Sequence, residues 1–205
     1  MQPTTLDSQS ARDELFRRIG RNVVNFQYLE ATLRIMIPTL FNKGTLKQLQ
    51  ANQDKVARKH RKAALGTLAN AYHERVYGKS VEDEAPPGDA LPDPTFTFGI
   101  HIEVTPEKAE QRKRALVKLI AERNRLIHQD LLNVDLKSRE QCEELSARLD
   151  EQYTRIRRHL DHLNSLRVNF HEMTRDFARL LESEEFRALL WGECDDAQQV
   201  AQPDD

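Results

Sequence analysis

Residues 115–131, ALVKLIAERNRLIHQDL, carry the pattern that decides the fold of this chain. Their apolar side chains recur every three or four residues, which is typical of one face of an α-helix. These apolar positions are Leu116, Leu119, Ile120, Ile127 and Leu131. Position 123 of the same stripe holds an arginine, while Asn124 and His128 lie one helical turn apart along its edge. Because an arginine is costly to bury alone, the pattern places Arg123 in a core-facing position that needs a polar partner.

An early apolar stripe predicts a first helix, which Ser10 would cap and Pro38 would end. The positions of the stripe are Leu15, Ile19, Val23, Phe26, Leu29, Leu33 and Ile37. Residues 42–44 then predict a turn. A second helical pattern with a strongly basic middle runs from about residue 45 to residue 77, and Gly78 predicts its end.

A proline-rich insert, residues 79–106, follows the second predicted helix. Apolar residues alternate with others in its last part, at Phe96, Phe98, Ile100, Ile102 and Val104. A period of two predicts a short strand or an extended arm. Such an arm could cover the domain or pair with the same arm of a second subunit. The alternative is a simple loop that packs two phenylalanines, and the sequence leaves this choice open.

The rest of the chain predicts a third helix that starts at Pro106 and a long helical segment that Ser138 caps. No proline or glycine occurs from residue 138 to residue 190. The spacing of apolar residues there fits one very long helix or two helices that meet near Asn164 and Ser165.

These elements predict an all-α fold, a bundle of four to five helices over residues 11–190. Glycine is scarce, with seven in 205 residues, which argues against a β-sandwich or barrel. The polar residues 1–10 and the acidic residues 191–205 are expected to be disordered.

The charge is uneven along the chain, although the net charge is only -2. Residues 54–79 and 106–125 are basic, and the end of the chain is acidic. A basic face could hold phosphate groups despite the near-neutral total. The alternative is that both segments are ordinary charged helix surfaces.

The two cysteines, Cys142 and Cys194, are far apart and predict neither a disulfide framework nor a thiolate zinc site. His159 and His162 have the spacing of a helical metal pair, but no third ligand of matching spacing accompanies them. We therefore expect neither a metal nor another cofactor. The polar N-terminus and the lack of a long apolar run favour a cytoplasmic protein without a membrane segment.

The run RNRLIH at residues 123–128 resembles the signature of the HEPN superfamily, an arginine and a histidine separated by four to six residues, with asparagine favoured after the arginine. It stands late in a helix, before a short break and a final long helix, as in that family. Glu30 on the first helix also resembles an acidic position of HEPN proteins. From helix patterning alone, the alternative is a satisfied Arg–Glu pair beside a half-buried histidine.

The resemblance implies a homodimer in which the motifs of two chains form one composite active site. His128 would act as general acid or base on the ribose 2′-OH or on the leaving 5′-oxygen. Arg123 would hold the scissile phosphate, and Asn124 would contact the phosphate or orient a partner. Glu30 would support Arg123 or His128. Attack by the 2′-OH needs no metal and leaves a 2′,3′-cyclic phosphate, so DNA would not be cut.

The two basic segments are expected to form the track for an RNA substrate. The candidate RNA-binding residues are Arg58, Lys59, Arg61, Lys62, Arg112, Lys113 and Arg125. Arg125 lies off the apolar stripe and is alternatively a plain surface charge.

The resemblance implies an RNA endonuclease that acts as a toxin or as an antiviral defence effector, with an antitoxin or a defence-complex protein as a further partner. A second interpretation is a catalytically inactive HEPN-like helical dimer that serves as a binding or scaffold module or as a regulatory subunit. A third is a nuclease subunit of a larger antiviral complex, which is held inactive until a signal arrives.

Overall fold

Helices make up most of the chain in the computed structural model, which describes residues 5–78 and 96–191. A two-stranded sheet is the only β-structure within these ranges. The predicted all-α class is therefore confirmed, with the small sheet as an addition. The elements in chain order are α1 (Thr5–Met36), β1 (Phe41–Gly44), α2 (Leu46–His60), α3 (Leu65–Tyr77), β2 (Phe96–Gly99), α4 (Pro106–Arg125), a π-helical turn (Leu126–Asp130), α5 (Leu131–Asn133), α6 (Arg139–Glu182) and α7 (Glu184–Trp191).

The first helix buries the apolar stripe that the sequence predicts. Its buried side chains include Leu15, Phe26, Leu29 and Leu33, and Ile37 is buried just after the helix. α1 already begins at Thr5, so residues 5–10 are helical rather than disordered, and Ser10 is not the cap of the helix. The first four residues lie outside the described ranges.

The predicted turn at residues 42–44 is instead part of strand β1. β1 pairs antiparallel with β2, so that Phe41 lies opposite Gly99 and Gly44 lies opposite Phe96. The alternation at Phe96 and Phe98 therefore does mark a strand, which excludes a simple loop over residues 96–99. In the described chain this strand pairs with β1 of the same chain. Of the two arrangements expected for an extended arm, the structure thus has the one in which the arm packs on its own domain.

The second predicted helix is two helices, α2 and α3, separated by a turn at residues 61–64. Val56 is partly buried on α2, while Leu65 is buried on α3. Nine residues separate these two positions, and at about 100° per residue they would lie on opposite sides of one continuous helix. The break allows both apolar faces to turn inward.

The predicted starts of the later helices at Pro106 and Ser138 are confirmed, and the structure adds Thr105 as the cap of α4. Thr105 accepts a hydrogen bond from the backbone N–H of Lys108, and Pro106 is the first residue of α4. The Ser138 hydroxyl accepts from the backbone N–H of Gln141 at the start of α6, at 3.3 Å. Between the two alternatives for the last segment, the structure has one helix, because α6 continues without a break past residues 164 and 165.

Residues 1–164 and residues 165–205 form two compact units. The described part of the second unit contains the end of α6 and α7, and it exposes Val168, Met173 and Leu180. Residues 192–205, the predicted acidic tail, lie outside the described ranges. No helix within the described ranges has the length and apolar character needed to cross a membrane.

A buried polar contact fixes α1 against α6 in the first unit. Asn22 is fully buried and its Nδ2 donates to the carbonyl of Leu149 at 2.8 Å and to Oε1 of Gln152 at 3.0 Å. Beside it, Arg21 donates to Asp150 at 2.8 Å. A buried amide with satisfied hydrogen bonds specifies one register of packing, so this contact fixes the frame that holds the candidate site.

Candidate functional site

The HEPN-like run straddles a change of helix type. Arg123 and Asn124 belong to the last turn of α4, which ends at Arg125. His128 lies in the middle of the π-helical turn that follows. π-helical turns are rare in proteins, and those that occur often lie at functional sites. The junction is therefore a place to look for a functional site.

Leu126 anchors this junction in the core. It is 1% exposed and packs in one cluster with Leu15 of α1 and with Leu145 and Leu149 of α6. Leu119 is also buried and precedes Leu126 by seven residues, about two turns, so both lie on the same side of α4. The core therefore follows the line from Leu119 to Leu126.

Arg123 is half-buried and lies beside that line, since it follows Leu119 by four residues, about 40° around the helix. Its Nη1 donates to Oδ1 of Asn124 at 3.0 Å. No carboxylate pairs with Arg123 among the residues that the structure describes. The alternative of a satisfied Arg–Glu pair is therefore not found in this part of the chain, and the guanidinium is available to an anion.

Asn124 and His128 both face solvent. His128 follows Leu119 by nine residues, about two and a half turns, which places it on the side of the helix away from the core. The structure gives His128 no hydrogen-bond partner within the described ranges. The alternative of a half-buried histidine is therefore not realised, and the imidazole is accessible to a ligand or to another chain.

Asp130 clamps the end of the π-helical turn to α6. Its Oδ1 accepts from Nε of Arg125 at 3.2 Å, and both of its carboxylate oxygens accept from Nη2 of Arg148, at 3.2 and 3.1 Å. The sequence pattern did not single out Asp130, because its partner Arg148 lies on another helix. The clamp occupies Arg125, which makes this residue a structural cation as well as a candidate RNA contact.

A cavity of about 270 Å³ lies on the inner side of the junction. Its lining carries both signs of charge and includes Lys118, Glu122, Arg125, Asp130, Arg148 and Arg155. Arg155 of α6 is held there by Glu122 of α4, at 3.0 Å. None of the three motif residues Arg123, Asn124 and His128 lines this cavity, so in one chain the motif lies on an open surface.

Comparisons with known proteins identify no relative of this chain. No protein-family model matches the chain. No curated protein and no solved structure matches it either. The resemblance to the HEPN superfamily therefore stays a prediction, which depends on residues 123–128 and on their helical setting.

Glu30 does not meet the motif of its own chain. It accepts from Nη2 of Arg34 at 2.5 Å, and the same Arg34 atom donates to the carbonyl of Ala63. Leu126 packs against Leu15, and Glu30 lies 15 positions further along α1, about 22 Å away at 1.5 Å per residue. The predicted support of Arg123 or His128 by Glu30 is therefore absent within a single chain.

The candidate RNA-binding residues fall into separate groups. Arg58, Lys59, Arg61 and Lys62 are exposed at the end of α2 and in the turn after it. Arg112 and Lys113 are exposed on α4 and line a cavity between α3, α4 and α6. Arg58 and Arg61 line a different cavity, so the two basic segments do not share one groove in the structure.

The residues with metal-ligand chemistry do not gather into a site in the described part of the chain. No group of three or more His, Cys, Asp or Glu side chains suited to a metal ion occurs there. His162 instead shares its Nε2 with the hydroxyl groups of Tyr72 and Tyr77. Cys142 is buried in the core, and burial raises the pKa of its thiol, while Cys194 lies outside the described ranges.

Proposed function

We propose that this protein is a metal-independent RNA endonuclease of the HEPN type, which works as a cytoplasmic homodimer with a composite active site. The observation that carries the proposal is the chemistry of the α4–π junction. A guanidinium without a carboxylate partner, Arg123, is hydrogen-bonded to the exposed amide of Asn124, and the exposed imidazole of His128 follows about one turn later.

Each of these groups has a role in the proposed reaction. His128 takes the proton of the ribose 2′-OH or gives a proton to the leaving 5′-oxygen, since imidazole exchanges protons near neutral pH. Arg123 binds the scissile phosphate and stabilises the charge that develops on it. Asn124 holds the Arg123 guanidinium and contacts the phosphate. The 2′-oxygen attacks phosphorus, the 5′-oxygen leaves, and the product is a 2′,3′-cyclic phosphate.

The open position of the motif in one chain favours a site that is completed by a second chain. α1 carries exposed apolar side chains on the side opposite to its core face. They are Val24, Tyr28 and Ile35, between 50% and 68% exposed. A helix that is apolar on two faces is normally covered on both, and an isologous dimer would cover this stripe with its own copy.

The RNA would be held outside the reacting groups by the exposed cations at the end of α2 and on α4. Binding through such contacts weakens as salt concentration rises, because counterions compete for the phosphates. In the cell the enzyme would act as a toxin or an antiviral defence effector, controlled by an antitoxin or by a partner in a defence complex. This setting comes from the resemblance of the motif alone.

Cleavage of total RNA by the full chain, in the presence of EDTA, tests the proposal. We expect cyclic-phosphate ends from the wild type and a loss of about 100-fold or more in His128→Ala, because general acid–base catalysis contributes 10²–10⁴-fold. His171→Ala is the matched control, since His171 is exposed on α6 well away from the motif in sequence. Equal cutting by wild type and His128→Ala, or cutting that EDTA abolishes, would refute the proposal.

A second candidate is a catalytically inactive helical dimer that binds partners or regulates a larger complex. The exposed apolar stripe of α1 favours it, since such a stripe serves binding whether or not the motif is active. Expression in a bacterial host separates the candidates. A nuclease inhibits growth and Arg123→Ala relieves the inhibition, whereas a binding module is tolerated in both forms.

A further inference from the structure

A cavity of the first unit lies between α3, α4 and α6 and is separate from the HEPN-like motif. It encloses about 450 Å³, within the range of small-molecule sites. Its floor is apolar and includes Ala69, Tyr72 and Leu116, which are all buried. A ligand group of the size of a single ring is therefore removed from water when it packs against this floor.

Cations surround the mouth of this cavity, at Arg112, Lys113, Lys118 and Arg158. No Asp or Glu lines it, and within the described ranges none of these four cations pairs with a carboxylate. Arg155, which also lines the cavity, differs because Glu122 neutralises it. Several like charges around an apolar hollow repel one another, so an anion bound among them would relieve this repulsion.

A hydrogen-bond network fixes one of these cations in place. Nη1 of Arg112 donates to the hydroxyl of Tyr77 at 3.0 Å, and the guanidinium lies 5.4 Å from the centre of the Tyr77 ring. The Tyr77 and Tyr72 hydroxyls each lie 3.2 Å from Nε2 of His162. Since Tyr77 accepts from Arg112, its hydroxyl connects that guanidinium to the His162 imidazole. Arg112 is therefore held in position before any ligand arrives.

The histidines of the cavity respond to the same surroundings. Burial lowers the pKa of His159, and His162 and Arg158 lower it further. Burial also lowers the pKa of His162, with Arg112 as the second cause. Burial is the main cause of both shifts, and the nearby cations Arg158 and Arg112 add to it.

We propose that this cavity binds a small phosphate monoester with an apolar, ring-sized body. The phosphate lies among Arg112, Lys113 and Arg158, and the ring lies against Leu116 and the buried Tyr72. A dianion fits better than a monoanion, because the cations around the mouth exceed the charge of one carboxylate and guanidinium and ammonium groups both bind phosphate well. The proposal does not depend on ribonuclease activity.

Calorimetric titration of the full chain with phenyl phosphate tests the site. Benzoate keeps the ring with a single charge, inorganic phosphate lacks the ring, and phenol lacks the charge. We expect one phenyl phosphate per chain, bound about tenfold more tightly than any of the other three, because both the charge-assisted contacts and the apolar contacts contribute.

Three variants locate the binding. Lys113→Gln and Arg158→Gln alter exposed side chains, and each is expected to weaken phenyl phosphate about tenfold. Ala115→Trp fills the mouth from an exposed helix position and is expected to abolish binding. Lys137→Gln removes an exposed cation that does not line the cavity and is expected to change nothing. Circular dichroism confirms that each variant is folded.

Three results would overturn the proposal. The first is no binding of phenyl phosphate to the folded wild type. The second is binding of inorganic phosphate as tight as that of phenyl phosphate, which would show that the apolar floor contributes nothing to binding. The third is an equal loss in Lys137→Gln and Lys113→Gln, or more than one ligand per chain, which would indicate attraction to surface charge alone.

Discussion

Replacement of Asp130 by asparagine tests whether the clamp on the π-helical turn positions His128. The carboxylate joins two arginines, Arg125 from the end of α4 and Arg148 from α6. Asparagine has nearly the same shape and keeps one oxygen that accepts hydrogen bonds, but it loses the charge. The change therefore weakens the clamp without opening a cavity in the core.

The size of the effect follows from the exposure of the groups. The Asp130 side chain is 13% exposed, whereas those of Arg125 and Arg148 are 59% and 44% exposed. Ion pairs to arginines in this exposed setting contribute about 0.2–1 kcal/mol each, and the asparagine oxygen retains part of that. We expect Asp130→Asn to lower the free energy of unfolding by about 1 kcal/mol, which lowers Tm by roughly 2–4 °C in a chain of this size.

The reaction is expected to be more sensitive than the fold. His128 lies two residues before Asp130 in the same turn, and a displacement of a catalytic group by 1 Å costs up to about 10²-fold in rate. We therefore expect RNA cleavage to fall by about tenfold or more at temperatures where Asp130→Asn is fully folded. Asp176→Asn is the matched control, because Asp176 also pairs with an arginine, Arg179, at 3.3 Å but on an exposed face of α6.

Urea denaturation followed by circular dichroism measures the stability of both variants, and RNA cleavage is measured on the same preparations. If Asp130→Asn unfolds at the same urea concentration as the wild type, the clamp does not hold the turn. If it is destabilised as expected but cleaves RNA at the wild-type rate, Asp130 is a fold residue and positions nothing that the reaction needs.

Three further predictions concern the core, the apolar stripe and the pH dependence. Leu126→Ala removes a fully buried side chain and is expected to lower the free energy of unfolding by about 3 kcal/mol in urea denaturation. Tyr28→Glu changes an exposed residue of the α1 stripe and is expected to convert a dimer to a monomer in sedimentation velocity without loss of helix content. Burial lowers the pKa of His60, His159 and His162 from the ordinary 6.5. As pH falls, the unfolded chain therefore binds protons at these histidines before the folded chain does. Stability is therefore expected to be complete above about pH 6.5 and to fall as pH falls below it, which denaturation at pH 7.5 and pH 5.5 measures.

Local signals in the sequence predict the ends of the helices where a cap or a proline marks them. Pro106 with Thr105, and Ser138 before α6, act within one turn of the chain, so their effect is visible without knowledge of the fold. The core face of α1 is predictable for the same reason, since its period is local. The sequence also contains a signal for the break between α2 and α3. On one continuous helix the apolar residues Val56 and Leu65 would lie on opposite sides. The unbroken run of helix-forming residues made this signal easy to miss.

Contacts between distant segments were not predictable. β1 is four residues long and has no alternating pattern, and it becomes a strand because β2, more than 50 residues later, supplies the hydrogen bonds. Asp130 is a comparable case, because nothing near it in sequence indicates Arg148 as a partner. The exposed stripe of α1 could have been found, since Val24, Tyr28 and Ile35 repeat with helical spacing on the face opposite the core.

The position of Arg123 follows from its spacing to the buried leucines of α4. On a regular helix it lies about 40° from Leu119 and about 60° from Ile120, so it borders the apolar stripe whichever of the two the core follows. In the structure Leu119 and Leu126 are buried and Arg123 is partly buried, so the guanidinium lies at the edge of the core. Because a guanidinium is costly to bury alone, this edge position favours an anionic or polar partner there.

The π-helical turn decides where Leu131 lies relative to the core. In a continuous α-helix Leu131 would lie about 120° from Leu119 and would point away from the core. Five residues of π-helix advance less per residue and lag by roughly a quarter turn, which returns Leu131 to the cluster around Leu126. His128 lies inside this turn and stays on the solvent side, as Asn124 does. The residues on either side of the motif pack into the core, and this keeps the motif at the surface. A second motif can therefore complete the site only by approaching this surface from outside the chain.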